Sequence, residues 1–180
     1  MKKNIKIESE NYVIKPLDEN NIDPHYIEWL NTPKITRFLD VDPNFKYTKE
    51  SVSDYIKNRD NIGKFIFGIY TKTDKLIGTH ALTYNTENKI GELGVMVGDV
   101  DYWGKGVPLE TRPAILNWFF KNFDAKQMIA GTYALNYPAI YNFKRDNWEM
   151  YRIDKNHKII DGKKIDFINY SMSREKWNGK

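Results

Sequence analysis

The feature that most constrains the fold is a stretch in which a strand pattern runs into a glycine-rich turn and then a helical pattern. Residues 91–107 read GELGVMVGDVDYWGKGV, and apolar residues at helical spacing follow as far as residue 123. Gly104 and Gly106 accept positive φ and let the main chain approach a ligand, and a helix N-terminus presents unpaired N–H groups. The stretch therefore predicts an α/β fold with a cradle for an anion such as a pyrophosphate. The glycines alone are also compatible with a plain tight turn.

The rest of the chain alternates between strand and helix patterns, with no repeat, low-complexity stretch or linker. Strands are predicted over residues 12–17, 65–70, 76–84, 90–97 and 127–133. Helices are predicted over 24–30, from Thr48 to Arg59, within 107–123 and over 136–146. A C-terminal hairpin is predicted over 148–172, with Asp161-Gly162 as its tight turn. We therefore expect a single α/β domain spanning residues 1–180.

The composition indicates a packed globular chain and excludes several chemistries. The 180 residues are 41% hydrophobic and 14% aromatic, as in chains that bury a core. The absence of cysteine excludes disulfides, thiolate metal sites and a covalent thiol nucleophile. His25, His80 and His157 do not have the spacing of metal ligands, so no metal is expected.

Charge and hydropathy restrict the partners and the compartment. The net charge is +4, and basic and acidic residues are interspersed, so we expect no nucleic-acid partner, while the mild positive bias suits a phosphorylated ligand. The first residues, MKKNIK, lack the apolar run of a signal peptide, and no stretch approaches the ~20 apolar residues of a membrane span. The expectation is a cytoplasmic protein with no membrane partner. The sequence leaves open whether it is a monomer or a homodimer.

Glu92 to Val107 resembles the fourth strand and coenzyme A loop of GNAT acetyltransferases, in the branch of the bacterial ribosomal-protein N-terminal acetyltransferases. The loop Tyr102-Trp103-Gly104-Lys105-Gly106 is very similar to the loop typical of that branch. Further segments resemble the branch in the same order: YIEWLN at 26–31, ITRFL at 35–39, Asn136-x-x-Ala139-Ile140, and DGK at 161–163 through REKW at 174–177. The resemblance implies the GNAT acyl-CoA N-acyltransferase fold, with a mixed, mostly antiparallel, twisted sheet of about seven strands flanked by about four helices.

The resemblance also implies acetyl-CoA as co-substrate, lying between two splayed strands, one ending at Val97 and the other near Tyr133. The implied cofactor-binding residues are Val95, Met96, Val97, Trp103, Gly104, Lys105, Gly106, Val107, Asn136, Ala139 and Phe143. The main chain of residues 95–97 would pair with the pantetheine arm like an added strand. In this family the acceptor amine attacks the thioester directly, so neither a metal nor a covalent enzyme intermediate is implied.

Direct attack requires a neutral amine, so a carboxylate, or a water that it orients, must take a proton. Glu92 is the candidate general base. On an alternating strand it shares a face with Gly94 and Met96, and the small Gly94 leaves room for a substrate. A solvated or structural role for Glu92 stays open, and Asp99 is the second candidate.

Two departures from the family pattern affect the predicted site. Phe143 falls where many members have a tyrosine that protonates the departing thiolate, and phenylalanine has no proton to donate. We assign no general acid: water, Tyr133 and Tyr137 stay open. Pro108 offers no N–H to a phosphate. Pro113 either kinks a helix that begins near residue 108, which we favour, or lies in the first turn of a helix capped by Thr111.

The acceptor amine is the least determined part of the prediction. Trp29, Phe38 and His80 are weak candidates for substrate contact, although aromatic residues here also suit a core and a packed histidine is the ordinary alternative. We expect a primary amine, such as a nucleotide-linked amino sugar or another small amine. The alternatives are a protein N-terminus, as in the ribosomal-type enzymes, and a non-catalytic acyl-CoA-binding domain.

Overall fold

A computed structural model describes residues 5–178, and these form one sheet of eight strands flanked by helices. The strands are β1 (Ile7–Glu8), β2 (Tyr12–Pro16), β3 (Lys64–Thr71), β4 (Leu76–Asn85), β5 (Ile90–Val97), β6 (Gln127–Tyr133), β7 (Glu149–Ile160) and β8 (Lys163–Ser173). Their order in the sheet is β1-β2-β3-β4-β5-β6-β8-β7. Residues 1–4, which belong to the N-terminal segment without an apolar run, lie outside the described residues, as do residues 179 and 180.

Six α-helices accompany these strands in the described part of the chain. They are α1 (Pro24–Leu30), α2 (Pro33–Thr36), α3 (Lys49–Lys57), α4 (Val107–Asn122), α5 (Tyr137–Arg145) and α6 (Arg174–Asn178). Thr48 caps α3 as predicted, with Ser51 completing a reciprocal capping box. The mixed, mostly antiparallel sheet is confirmed. The expected counts were too low, because the two-residue β1 and the short α2 and α6 carry too few residues to show a period.

The central feature of the sheet is the parallel pair β5 and β6, whose strands separate after three paired positions. Ile90, Gly91 and Glu92 pair with Gln127, Met128 and Ile129. Beyond that point β5 continues to Val97 and β6 to Tyr133, with no cross-strand pair between them among the described residues. The two strands therefore enclose a wedge-shaped slot whose vertex lies at Glu92.

Alternation along β5 directs its side chains into two separate cores. Leu93 packs with Phe119 of α4 in the larger core, on the face that also carries α5 and α6. Met96 packs with Trp29 of α1 and Ile56 of α3 in the core of the opposite face. The slot between β5 and β6 thus lies between two helical layers. α4 and α5 pack on one face of the sheet, and α1 to α3 pack on the other.

The C-terminal hairpin forms as the Asp161-Gly162 pattern predicts. Both residues have positive φ, 50° and 73°, which is the geometry of the tight primed turn. β8 returns beside β6, and β7 lies at the edge of the sheet. This connection places the tip of the hairpin beside the slot.

Candidate functional site

A cleft of about 1510 Å³ occupies the slot and its surroundings. Its lining comes from β5, the loop before α4, the first turns of α4, one face of α5, the segment from α2 to residue 43, and the tip of the C-terminal hairpin. Ligand pockets for drug-sized molecules usually measure about 300–1,000 Å³. The cleft therefore has room for a long ligand, or for two ligands that meet in the slot.

One edge of β5 faces this cleft with main-chain groups that β4 does not use. Gly98 donates its N–H to the carbonyl of Ile77 at 3.0 Å, which fixes the phase of the antiparallel ladder. By alternation, the main chain of Met96 turns towards β4, whereas that of Val95 and Val97 turns towards the slot. The Trp103 indole N–H donates to the Val97 carbonyl at 2.8 Å. Val95 thus presents the free pairing edge.

The loop between β5 and α4 supplies a second set of free main-chain donors. Gly104 and Gly106 have φ of 74° and 71°, and Gly106 is the N-cap of α4 in the left-handed region. Among residues 5–178, no acceptor pairs with the N–H groups of Gly104, Gly106 or Val107. Such convergent amides at a helix N-terminus bind phosphate groups. Pro108 follows directly and adds no donor.

The start of α5 forms the opposite wall of the slot. The Asn136 side-chain oxygen accepts the Ala139 N–H at 3.4 Å and so caps the helix. Its NH₂ group stays available, because an amide side chain carries two donors besides its oxygen. Asn136 and Ala139 both line the cleft, together with Tyr141.

The charged side chains that line the cleft are mainly basic. Six cationic residues line it against two carboxylates: Lys34, Arg37, Lys105, Arg112, Arg145 and Lys158 against Glu110 and Asp161. Glu110 accepts hydrogen bonds from Ser9 and Asn11, and Asp161 pairs with Arg37 at 2.6 Å. Arg37 and Asp161 offset each other and Arg112 pairs with Asp146, but the remaining cations of the lining still outnumber Glu110, so the cleft favours anionic ligands.

A family model described as the acetyltransferase (GNAT) domain matches residues 12–143. The chain belongs to the GNAT acetyltransferase family. The resemblance inferred from the sequence and the expected enzyme class, an N-acetyltransferase, are thereby confirmed. A search of curated proteins finds no match.

Solved structures of similar fold include N-acetyltransferases with different acceptors. A spermidine N-acetyltransferase from Vibrio cholerae, in complex with CoA and spermine, matches with a TM-score of 0.83 at 14% identity, over 93% of this chain and 98% of that one. The ribosomal-protein-S5-alanine acetyltransferase from Vibrio fischeri matches with 0.78 at 18%, over 97% and 99%. A Salmonella typhimurium acetyltransferase that modifies the N-terminal serine of ribosomal protein L7/L12 matches with 0.77 at 14%, over 94% and 99%. At these identities the likeness shows the fold alone.

The residues present fit a coenzyme A molecule. The free edge at Val95 matches a pantetheine arm, which carries amide groups able to pair with a strand. The unpaired amides at Gly104 and Gly106 match a diphosphate, and no atom lies within 4 Å of the position of a Cβ on Gly104. A bulkier residue at Gly104 would also be strained at positive φ. The open space over Gly104 therefore lies beside the unpaired N–H groups that would bind the diphosphate.

Glu92 lies at the vertex of the slot, on the face that carries α1 and α3. Its side chain is exposed and lies outside the cleft lining. Gly94, the next residue on the same face, is also exposed, and a Cβ there would meet only the Ala81 carbonyl oxygen, at 4.0 Å. An acceptor amine can thus approach Glu92 from the face opposite α4 without displacing a side chain.

Four side chains of the predicted site lie elsewhere than expected. Phe143 is buried and stacks on Tyr170, with ring centroids 4.3 Å apart, so it belongs to the core and not to the cofactor wall. The Met96 main chain is committed to β4, and its side chain is buried. Trp29 fills the space over Gly98, where an added Cβ would lie 2.0 Å from its ring. Of the three weak substrate candidates, only Phe38 lines the cleft.

His80, the fourth, is a core residue. Its side chain is fully buried, its Nδ1 lies 3.2 Å from the Gly94 carbonyl oxygen, and its Nε2 lies 2.9 Å from Thr111 Oγ1. Desolvation, with a smaller contribution from the charge of Arg112, lowers its pKa from 6.5 to about 3. His80 is therefore neutral and does not reach the cleft, which corrects its assignment as a substrate contact.

In residues 5–178 no three His, Cys, Asp or Glu side chains are grouped so as to hold a metal ion. Within the same part of the chain, no helix combines the length and the apolar character needed to cross a membrane.

Sequence reasoning missed the residues that close the cleft on the hairpin side. Tyr141 lines the cleft, whereas Phe143, the position that the family resemblance indicated, is turned into the core by α5. Arg37, Lys158 and Asp161 line the same side. Arg37 is separated from Lys158 and Asp161 by more than a hundred residues in sequence, so no local pattern could have brought it to them.

Proposed function

We propose that this protein is an acetyl-CoA-dependent N-acetyltransferase that transfers the acetyl group directly to a small primary amine, with a nucleotide-linked amino sugar as the preferred class. The observation that carries the proposal is the slot between β5 and β6. It joins a free strand edge at Val95 to the unpaired amides of Gly104, Gly106 and Val107. A thioester carrier with a diphosphate at one end and an amide-containing arm at the other matches that order of groups.

When bound, acetyl-CoA supplies the thioester whose acetyl carbon the amine attacks. A C–N bond forms, the C–S bond breaks, and sulfur leaves as a thiolate, while the nitrogen loses a proton. Glu92 takes that proton directly or through a water, since it is exposed beside the open space over Gly94. Val95 aligns the arm, and the Asn136 amide hydrogen atoms hold it from the side of α5.

Protonation of the thiolate is assigned to no side chain. Tyr133 is buried and its hydroxyl donates to Asp40 at 3.4 Å; desolvation, followed by the charge of Asp40, raises its pKa to about 12. Tyr137 is 69% exposed and lies outside the cleft lining. Among the candidates considered from the sequence, these placements favour water.

The charge of the cleft bears on the acceptor class. The solved structures of similar fold include enzymes named for spermidine and for the N-terminal serine of a ribosomal protein. A polyamine carries several positive charges and would be repelled by a lining with six cations and two partnered carboxylates. An amine that also carries phosphate groups is attracted by the same lining, which supports the nucleotide-linked amino sugar.

The test is release of free coenzyme A thiol from acetyl-CoA with a panel of amines. The panel contains amino sugars with and without a phosphate or nucleotide group, spermidine, and peptides with free N-termini. We expect turnover with a phosphate-bearing amino sugar and little with spermidine. Cofactor binding by calorimetry without turnover on any amine would instead indicate a non-catalytic acyl-CoA-binding domain.

A further inference from the structure

The hairpin side of the cleft holds an ion pair that joins two distant parts of the chain. Arg37, just after α2, contacts the Asp161 carboxylate at 2.6 Å, and Asp161 stands in the turn between β7 and β8. Both side chains are exposed, 46% for Arg37 and 71% for Asp161. An exposed pair of this kind contributes about 0–1 kcal/mol to stability, so folding gives little reason for it.

A second cation, Lys158, lines the same cleft as this pair. Lys158, on β7, donates to the Leu39 carbonyl at 2.7 Å and lies 5.4 Å from the centroid of the Tyr133 ring. The Arg37 guanidinium lies 5.1 Å from the Phe38 ring centroid. Backbone and aromatic contacts thus hold both cations over the cleft, and each keeps unused donors, since guanidinium has five N–H groups and ammonium three.

We propose that Arg37 and Lys158 form a binding subsite for a phosphate group of the acceptor. In the absence of that phosphate, the Asp161 carboxylate pairs with the Arg37 guanidinium, and the phosphate displaces it on binding. The inference rests on the proposed function and adds the residues that bind the phosphate group of the acceptor amine. A phosphate oxygen takes the place of the Asp161 carboxylate oxygen on Arg37 and gains the free N–H groups of Lys158. Arg–phosphate pairs are among the stronger charge-assisted hydrogen bonds, so the exchange favours the ligand.

The position of this subsite separates it from the diphosphate loop of the cofactor. Arg37 and Lys158 belong to the α2 segment and the hairpin, whereas Gly104 and Gly106 lie between β5 and α4. The same phosphate chemistry could nevertheless come from the acceptor or from coenzyme A. A titration in which the coenzyme A site is already filled tells the two sources apart.

The deciding experiment uses the full chain saturated with coenzyme A, titrated with inorganic pyrophosphate in a calorimeter. Asp161→Asn frees Arg37 and keeps the turn, since asparagine tolerates the left-handed region; it should tighten pyrophosphate binding about fivefold or more. Arg37→Gln should weaken that binding by about the same factor. The double variant should lose the gain. Lys163→Gln, an exposed lysine next to the turn and outside the cleft lining, serves as the control and should change nothing.

Opposite effects of the two single variants are the signature of this exchange. If the ion pair only stabilised the fold, both variants would act in the same direction, and the subsite would be disproved. It would also be disproved if saturated protein bound no pyrophosphate, or if Arg37→Gln weakened coenzyme A itself, which would assign the cations to the cofactor. If the protein without substitutions did not bind coenzyme A at all, that result would instead contradict the proposed function.

Discussion

At the scale of single residues, the two candidates His80 and Glu92 lie in opposite environments. His80 is enclosed between Gly94 and Thr111 and kept neutral by burial. Glu92 stands in the open on the neighbouring strand. The buried neutral imidazole of His80 bears on stability, whereas Glu92, at the vertex of the slot, is the proposed general base. The two roles can be tested separately.

His80 should make the protein lose stability on mild acidification. Its native pKa of about 3 lies below the unfolded value of 6.5, so the unfolded state binds the extra proton. Its stabilising contribution is full above the unfolded pKa and falls by up to about 1.4 kcal/mol per pH unit below it. Urea unfolding at about pH 7.5 and about pH 5 should show this slope, and His80→Asn should reduce it.

Glu92→Gln should lower kcat by about 100-fold or more while leaving the acetyl-CoA dissociation constant within about twofold. Glutamine keeps the shape of the side chain but accepts no proton. Glu87→Gln, in the exposed β4–β5 turn, provides a matched control that should keep full activity. Equal losses in both variants, or a loss of cofactor affinity in Glu92→Gln, would remove Glu92 as the base.

At the scale of elements, α4 carries both the unpaired amides of the proposed anion cradle and an internal proline. The helix begins at Val107 and runs to Asn122 with Pro113 inside it, as in the alternative favoured from the sequence. Thr111 is not its cap. The Thr111 hydroxyl donates to the Val107 carbonyl at 2.9 Å, and its oxygen lies 2.9 Å from His80 Nε2. The dipole end of α4 therefore stays beside Gly106, where a phosphate benefits from it.

The two prolines of α4 should respond differently to replacement by alanine. Pro113→Ala restores an N–H in the helix interior and should raise the free energy of unfolding by about 1–3 kcal/mol, with coenzyme A affinity unchanged. Pro108→Ala adds a donor in the first turn and should tighten coenzyme A binding about threefold or more, with little change in stability. Calorimetry and urea unfolding of both variants check this crossed pattern; a stability gain from Pro108→Ala without tighter binding would contradict it.

At the scale of the molecule, β5 and β6 are not paired beyond Glu92. Other contacts therefore have to hold the walls of the slot in place. Arg112 of α4 is buried and pairs with Asp146, at the end of α5, at 2.9 Å. Burial lowers the pKa of Arg112, and Asp146 opposes that shift. The Arg112 guanidinium also lies 4.4 Å from the Phe143 ring centroid. This pair ties the two helices that flank the slot.

Asp146→Asn should therefore destabilise the protein by about 3 kcal/mol, because it leaves a buried guanidinium without its counter-charge. Asp161→Asn breaks an exposed pair and should cost no more than about 1 kcal/mol. Urea unfolding of the two variants gives the comparison. Similar small losses would show that the α4–α5 tie does not hold the slot.

How much the sequence predicted depends on the range over which each feature is encoded. Helix and strand identities, the Thr48 cap, the Asp161-Gly162 turn and the glycine loop before α4 all follow from neighbouring residues, and the structure has them. The placements of Phe143, His80 and Trp29 did not follow. Each is decided by which face of its element meets a core, and a helical projection or a strand alternation leaves that choice open.

By itself the sequence determined most of the order of elements, the glycine loop before α4 and the family, because each is encoded by local segments that keep their order along the chain. Only the tertiary structure decided that β5 and β6 separate after Glu92, that Val95 rather than Met96 faces the slot, and that Arg37 meets Asp161 across 124 positions. The physical reason is that strand register, ladder phase and long-range ion pairs arise from packing between segments. No residue carries that information without its partner.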